Sequence, residues 1–419
     1  MRILFVLHQF YPEFSGGTER VTLNLAHAAQ RAGHYVHILA CAIDDRKNHG
    51  SDAAYLAGAK AFVYKGVPLT LIPRDLLPAS SDHSLEVASD MVQPIAAWMK
   101  QAKFDLAHVM HTMRMSTAVL AAQQCGLPYL LTLTDFFLEC PRINLVTLDN
   151  QMCSGPDLGK KCAEDCLTAP WDRGSLAARY QAGREILSGA SVRVAPSSFV
   201  AERYHLAFPD FDFRVIPHGI DLLKLMGKEQ TSCSSHPVGE KLLTFGYVGS
   251  IIPQKGLDVL LRGFAKIKTQ HLRLKIIGGF YGGGAYQTKV QALVDADPRI
   301  ELLGHMQEAE VFATMPKFDI LCVPSQVPET FSLSLHEAAA LGIPALVSNL
   351  GAPGEYISTH GCGLAVTAED AIAWADAIGS VVKNLSLIQK WKKLLPLSVR
   401  VEEEAFFYDS LYRTLRCPP

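Results

Sequence analysis

Glu329 and Glu337 stand eight positions apart in residues 323–337, VPSQVPETFSLSLHE. The segment follows an apolar strand-like run, passes two prolines and enters a helix-period stretch. That order places Glu329 in a loop, Phe331, Ser332 and Leu333 at a helix start, and Glu337 about two turns into the helix. Backbone N–H groups at a helix start lack intrahelical partners, and the helix dipole favours negative charge there, so the segment suits a diphosphate. A helix-borne carboxylate nearby can accept hydrogen bonds from sugar hydroxyls. The plainer reading is a solvated Glu337 and a helix-start carboxylate at Glu329. A second segment, GYVGSIIPQKG at residues 246–256, offers Gly249 for close backbone approach and Lys255 as a point charge for a phosphate. It has neither P-loop spacing nor the dinucleotide fingerprint, and it reads equally as a strand–turn–helix junction. A third, GGFYGGG at residues 278–284, is as readily a flexible turn.

These loops need a scaffold, and the chain alternates short apolar runs with helix-period stretches. Residues 3–7 (ILFVL), 35–40, 106–110, 129–133 and 192–195 read as buried parallel strands. The SGGTER loop and a helix over 21–31 follow the first of them. The pattern restarts with strands at 242–248, 274–277, 320–323 and 345–347 and a helix over 256–269. Strand–helix alternation predicts open parallel sheets, and two successive sets predict two Rossmann-like domains. The expected division is an N-terminal domain over 1–217 and a C-terminal domain over 218–399, joined near 215–222. The 419 residues exceed what one core usually supports. A 49% hydrophobic content and a net charge of −2 argue against disorder and against nucleic acid as a partner. No run of 18 apolar residues free of charge occurs, so no membrane-spanning helix is expected. The opening apolar stretch is too short for a signal-peptide core, and a cytoplasmic location is expected. The periodic stretch 401–416, with Phe406, Phe407, Leu411, Tyr412 and Leu415, predicts a packed terminal helix.

Ten cysteines are too dilute for a disulfide scaffold, yet Cys140, Cys153, Cys162 and Cys166 fall within 27 residues of a loop-like stretch. The last two form Cys-x3-Cys, close to zinc-ligand spacing. Structural zinc, disulfides and unlinked thiols all remain open readings. Cys41 and Cys322 fall in apolar strands and read as core.

Taken in order, FSGGTERVTLNLAHAAQRAGHYV, VIPHGID, YVGSIIPQKGLDVLLRGF, LKIIGG and PETFSLSLHEAAALGIPALVS with the following GAPGE resemble family 4 glycosyltransferases of the GT-B fold. The resemblance covers nearly the whole chain, and the two glutamates match the family's paired-glutamate motif at its seven-residue gap. It implies two Rossmann-like domains facing across a cleft, with a helix over about 400–419 returning to the N-terminal domain. That domain would carry the cysteine-rich insertion, about 138–168, beside an acceptor site. By the same resemblance Lys255 contacts the donor diphosphate, Glu337 the ribose, and Glu329 lies near the donor sugar. Gly249 and Ser250 line the phosphate loop, where relatives often carry arginine in place of serine. Phe331, Ser332 and Leu333 supply backbone amides, and Gly16 and Gly17 form a loop closing over the donor. His111 and Asp135 belong to the N-terminal wall. For His111 a structural role is equally open. Relatives often read threonine–leucine–histidine–aspartate where this chain has Thr132, Leu133, Thr134 and Asp135. Thr134 donates a hydrogen bond but is no base.

The implied activity is retaining transfer of a sugar from a nucleoside-diphospho-sugar, UDP- or GDP-linked, to a hydroxyl on a glycan, lipid-linked or small-molecule acceptor. No Asp-x-Asp motif is expected to be present to hold a divalent ion, in line with catalysis free of a metal cofactor. A lipid-linked acceptor would bring the protein to the inner membrane face with weak peripheral contact at most. Two other readings stay open: a sugar-nucleotide-binding protein with impaired catalysis, and a GT-B sugar-nucleotide epimerase or hydrolase.

Overall fold

The computed structural model describes all residues except 44–50, 53–55, 57, 150, 227–241 and 417–419. The chain forms two compact units: Met1–Gly219 together with Val401–Pro419, and Ile220–Arg400.

The first unit is built on a nine-stranded sheet. In chain order its strands are β1 (Arg2–Leu7), β2 (Tyr35–Cys41), β3 (Ser51–Asp52), β4 (Lys60–Tyr64), β5 (Val67–Ile72), β6 (Leu106–Val109), β7 (Tyr129–Thr132), β8 (Val192–Ala195) and β9 (Arg214–Val215). Their spatial order is β3-β4-β5-β2-β1-β6-β7-β8-β9. Strands β5 to β9 of that row run parallel, while β3 and β4 add an antiparallel edge. The central strands are apolar on both faces because helices cover both. The antiparallel edge was not legible in the sequence: β4 is only half-buried, so its side chains carry no continuous apolar signal.

The second unit has a six-stranded sheet that is parallel throughout: β10 (Leu243–Val248), β11 (Leu272–Ile277), β12 (Ile300–Gly304), β13 (Ile320–Val323), β14 (Ala345–Ser348) and β15 (Gly363–Val366). Its order, β12-β11-β10-β13-β14-β15, is the 3-2-1-4-5-6 winding of a Rossmann sheet. In such a sheet the strand order reverses between the first and fourth strands, leaving a crevice beyond their carboxyl ends. The corresponding reversal in the first unit lies between β1 and β6.

The helix Val401–Arg416 belongs to the first unit and packs on α1 (Gly17–Arg31). Polar links fasten it beneath the sheet. His108, fully buried on β6, meets Tyr412 Oη at 2.6 Å and Thr132 Oγ1 at 2.7 Å, and Thr132 meets Tyr408 Oη at 2.9 Å. Glu404 accepts the Gly219 N–H at 2.8 Å and pairs with His218 Nδ1 at 3.0 Å. His34 pairs with Asp409 at 2.6 Å. The inward face is therefore Val401, Glu404, Tyr408, Leu411 and Tyr412, whereas Phe406 and Phe407 are 69% and 52% exposed. Those two belong to the outer face, a correction to the expected apolar stripe. Among the described residues no single helix is long and apolar enough to cross a membrane.

Candidate functional site

Lys255 and Glu329 lie in the loops that follow β10 and β13, beside the strand-order reversal of the second unit, and Glu337 lies on the helix that follows the second loop. The loop after β10 makes a short helical turn, Pro253–Lys255, that ends on Gly256 at φ 64°. A Cβ on Gly256 would lie 2.0 Å from the Pro324 carbonyl oxygen, so the loop after β10 presses directly on the loop after β13. The Gln326 N–H donates to the Gln254 carbonyl at 2.8 Å and fastens the two loops together. Lys255 Nζ thereby reaches Glu329 Oε1 at 2.8 Å. The Ser325 hydroxyl donates to the same oxygen. Burial alone would push the Glu329 carboxyl up; the Lys255 charge and hydrogen bond, with the Ser325 and Ser332 hydroxyls, hold it below its ordinary value. Its backbone is equally confined, since a Cβ on Gly351 would stand 2.5 Å from the Glu329 nitrogen.

The helix beyond this loop spans Leu333–Ala340. Ser332 precedes it at φ 68°, ψ 85°, a left-handed conformation that costs a non-glycine residue roughly 1–2 kcal/mol. Strain of this kind persists where surrounding structure over-determines it and clusters at ligand clamps. Phe331 is buried, stacked on His336 at 3.8 Å between ring centroids, and His336 Nδ1 bonds the Ser332 carbonyl at 3.0 Å. Glu337 is buried in the second turn, nearer the helix start than the two turns expected. The glycine loops also meet: a Cβ on Gly278 would lie 1.9 Å from the Gly249 carbonyl oxygen. Ser250 contributes its carbonyl, which accepts from Tyr247 Oη at 2.7 Å.

The first unit gathers a second polar group beyond the ends of β1, β6 and β7. The Met113 N–H donates to His111 Nδ1 at 3.1 Å, so the ring proton resides on Nε2, which contacts Asp135 Oδ2 at 2.5 Å. Asp135 is positioned in turn by the Phe137 N–H at 3.0 Å. Thr134 Oγ1 donates to the Met110 carbonyl at 2.7 Å, which ties the end of β7 to the end of β6. Two residues that sequence reasoning missed complete the group. The His8 ring lies 3.9 Å from that of His111, and His8 Nε2 is 3.7 Å from Glu19 Oε1. Burial above all, with Arg114 nearby, holds His8 well below the usual imidazole value; burial raises Glu19. His8 Nδ1 and Glu19 Oε1 are buried without a hydrogen-bond partner. Gly16 leaves room for the Glu19 carboxylate, since a Cβ there would come within 2.7 Å of Glu19 Oε2. The SGGTER motif carried this signal: its glycine makes room for its glutamate. Gly17 opens α1.

The family model described as "Glycosyltransferase Family 4" matches residues 15–223, and that described as "Glycosyl transferases group 1" matches residues 229–394. The chain belongs to glycosyltransferase family 4. It is 28% identical over 187 residues to the D-inositol 3-phosphate glycosyltransferase of Nocardia farcinica, covering 42% of this chain and 41% of that protein. It is 29% identical over 204 residues to the phosphatidyl-myo-inositol mannosyltransferase of Mycobacterium leprae, covering 48% and 52%. The alignments thus span about half or less of these curated relatives. Among solved structures, sucrose-phosphate synthase from Thermosynechococcus elongatus superposes with a TM-score of 0.70 at 18% identity, covering 99% of this chain and 98% of that one. Anabaena HepE, solved with UDP and glucose, gives 0.69 at 14% identity, covering 99% and 100%. The fold is GT-B.

Two features of this family 4 chain qualify the sequence expectations. Triplets with Asp-x-Asp spacing do occur, at residues 210–212 and 295–297. Asp297 is committed to Arg299 at 2.6 Å and Asp210 to Arg184 at 2.5 Å. Asp295 accepts from Gln291 at 2.8 Å. The four clustered cysteines line one pocket, and none of the described cysteines forms a disulfide. Among the described residues no three His, Cys, Asp or Glu side chains are grouped closely enough to hold a metal ion. The stretch carrying the cysteines is not wholly loop, since residues Lys160–Asp165 form a helical segment.

Proposed function

We propose that this family 4 protein transfers a sugar, with retention, from a nucleoside-diphospho-sugar to an acceptor hydroxyl. The observation that carries the reading is the Lys255–Glu329 pair, 2.8 Å apart, beside the left-handed Ser332 at the carboxyl ends of β10 and β13. As the glycosidic bond breaks, its electron pair passes to the diphosphate oxygen and the anomeric carbon becomes oxocarbenium-like. The growing negative charge meets Lys255 and the amides of Phe331, Ser332 and Leu333, donors already oriented before the reaction. Glu329 then faces the developing positive charge on the sugar, and Glu337 accepts from the ribose hydroxyls. The acceptor attacks the face the diphosphate leaves and passes its proton to the departing phosphate oxygen. In this reading no residue need serve as base, and Thr134, whose hydroxyl is committed to the Met110 carbonyl, is not asked to. His111, Asp135, His8 and Glu19 form the polar wall that receives the acceptor, with Gly16 and Gly17 shaping its entrance.

The donor is a UDP- or GDP-sugar and the acceptor a glycan, glycolipid or small polyol, an assignment supported by the relatives' inositol-bearing acceptors and by HepE's UDP. Thr134 also favours a second reading, a sugar-nucleotide-binding protein with little turnover. A screen of common nucleoside-diphospho-sugars for nucleotide release, with and without hydroxyl acceptors, separates the two. Acceptor-dependent release of one nucleotide, in the presence of chelator, is expected; tight binding with no release across the set would overturn the transferase reading.

A further inference from the structure

The cysteine-bearing stretch lies outside both polar groups described above, and its architecture has a purpose of its own. Cys140 opens a turn in which the Ile143 N–H donates to the Cys140 carbonyl at 3.0 Å, with Ile143 at φ 67° and Leu145 at φ 54°. The chain then doubles back: Val146 and Met152 pair as an antiparallel bridge, and the Thr147 N–H donates to the Gln151 carbonyl at 2.9 Å. This returns Cys153 beside the turn, its N–H on the Leu145 carbonyl at 2.8 Å. The segment Lys160–Asp165 carries Cys162, with Cys166 as its C-cap, four residues on and therefore on the same face. A turn, a doubled-back strand and a helical segment thus deliver four sulfurs to one pocket.

Two further observations point to a cation. A backbone N–H is aimed at one of the sulfurs: Gly155 donates to Cys153 Sγ at 3.4 Å. Such a donor favours thiolate over thiol. In addition, Leu148, Met152, Leu158 and Leu167 of the stretch are exposed, while all four cysteines line the pocket.

We propose that Cys140, Cys153, Cys162 and Cys166 bind one zinc ion as a closed, structural site. Four thiolate ligands leave no open position for a reacting group, so the ion holds the insertion together and takes no part in transfer. Binding displaces four thiol protons, leaving a site of net charge −2. The sulfurs, not grouped at ligand distance in this structure, would be drawn inward to about 2.3 Å from the metal. This inference is independent of the donor, the acceptor and the transferase reading.

The test uses the full chain purified without chelator. Elemental analysis should find about one zinc per chain, released only when a thiol reagent titrates four cysteines together. Exchange for cobalt should give strong sulfur-to-metal charge-transfer absorption with tetrahedral d–d bands. The double variant C162S/C166S should lose both signatures, and C125S, outside the cluster, should keep them. Wild-type protein with far less than one zinc after dialysis against excess zinc, or an intact mass showing an internal disulfide, would overturn the proposal. Should the double variant not fold, the wild-type cobalt spectrum decides alone.

Discussion

Replacing Lys255 with methionine keeps the aliphatic stem and removes the charge that faces Glu329. The Glu329 side chain is 12% exposed and that of Lys255 34%, so the pair lies between a buried and a surface ion pair. Breaking a buried pair costs about 3–5 kcal/mol and an exposed one at most about 1 kcal/mol. Lysine's exposure discounts the upper figure, and we expect K255M to destabilise the C-terminal unit by about 2 kcal/mol. Most of the loss comes from the stranded carboxylate, so the double variant K255M/E329Q should recover more than half of it. The pH dependence supplies a sign test. In the native protein the Glu329 carboxyl is held below its unfolded value, so it contributes stability fully above about pH 4.3, lost as pH falls through the lowered folded value. Without Lys255, burial dominates, the folded carboxyl binds its proton more tightly than the unfolded one, and Glu329 stabilises only at acid pH. Calorimetry of the C-terminal transition between pH 4 and 8, for K255M against K255M/E329Q, reads the difference. No rescue by E329Q, or a gap between the two variants that does not narrow toward acid pH, would refute the reasoning.

E337A should weaken nucleotide binding by about 1.5–3 kcal/mol, through lost acceptors for ribose hydroxyls, as titration calorimetry with the free nucleoside diphosphate would record; unchanged affinity rejects the ribose role. G256A should destabilise the C-terminal unit by roughly 2 kcal/mol or more, because alanine at φ 64° is strained and its Cβ would stand 2.0 Å from the Pro324 carbonyl; a melting temperature within a degree of wild type would contradict this. Y408F removes one buried hydroxyl bonded to Thr132 and should cost about 1 kcal/mol in the N-terminal unit's transition, with donor affinity unchanged; a loss of donor affinity would mean that the terminal helix does more than brace its sheet.

Much of the donor group was legible because its chemistry is local. Glu329, the helix start and Glu337 lie within nine residues, and a turn-and-helix pattern places them without tertiary information. What could not be read was pairing between distant loops. Lys255 and Glu329 are 74 positions apart, and their salt bridge arises because β10 and β13 are neighbours in the sheet. Ser332 gives no sign of its left-handed backbone, since the usual signal for that conformation is glycine or asparagine. His8 and Glu19 were hidden for another reason: one follows a strand, the other lies in a helix's first turn, and each looks ordinary until the parallel sheet brings His111 beside His8. The terminal helix was legible as a helix but not in its orientation, because its five large apolar residues spread over more than one face and buried Glu404 is what marks the inner one.

The fastening of the last helix to the first sheet has a consequence for biosynthesis. As the chain leaves the ribosome, His218 and Gly219 emerge 186 and 185 residues before Glu404, Thr132 276 before Tyr408, and His108 304 before Tyr412. Until then the bonds from His108 to Tyr412, from Thr132 to Tyr408 and from His218 to Glu404 cannot form. The second unit, contiguous from Ile220 to Arg400, can fold while the first is still unsealed. The unit that begins first therefore waits for the helix Val401–Arg416, made only after the contiguous second unit.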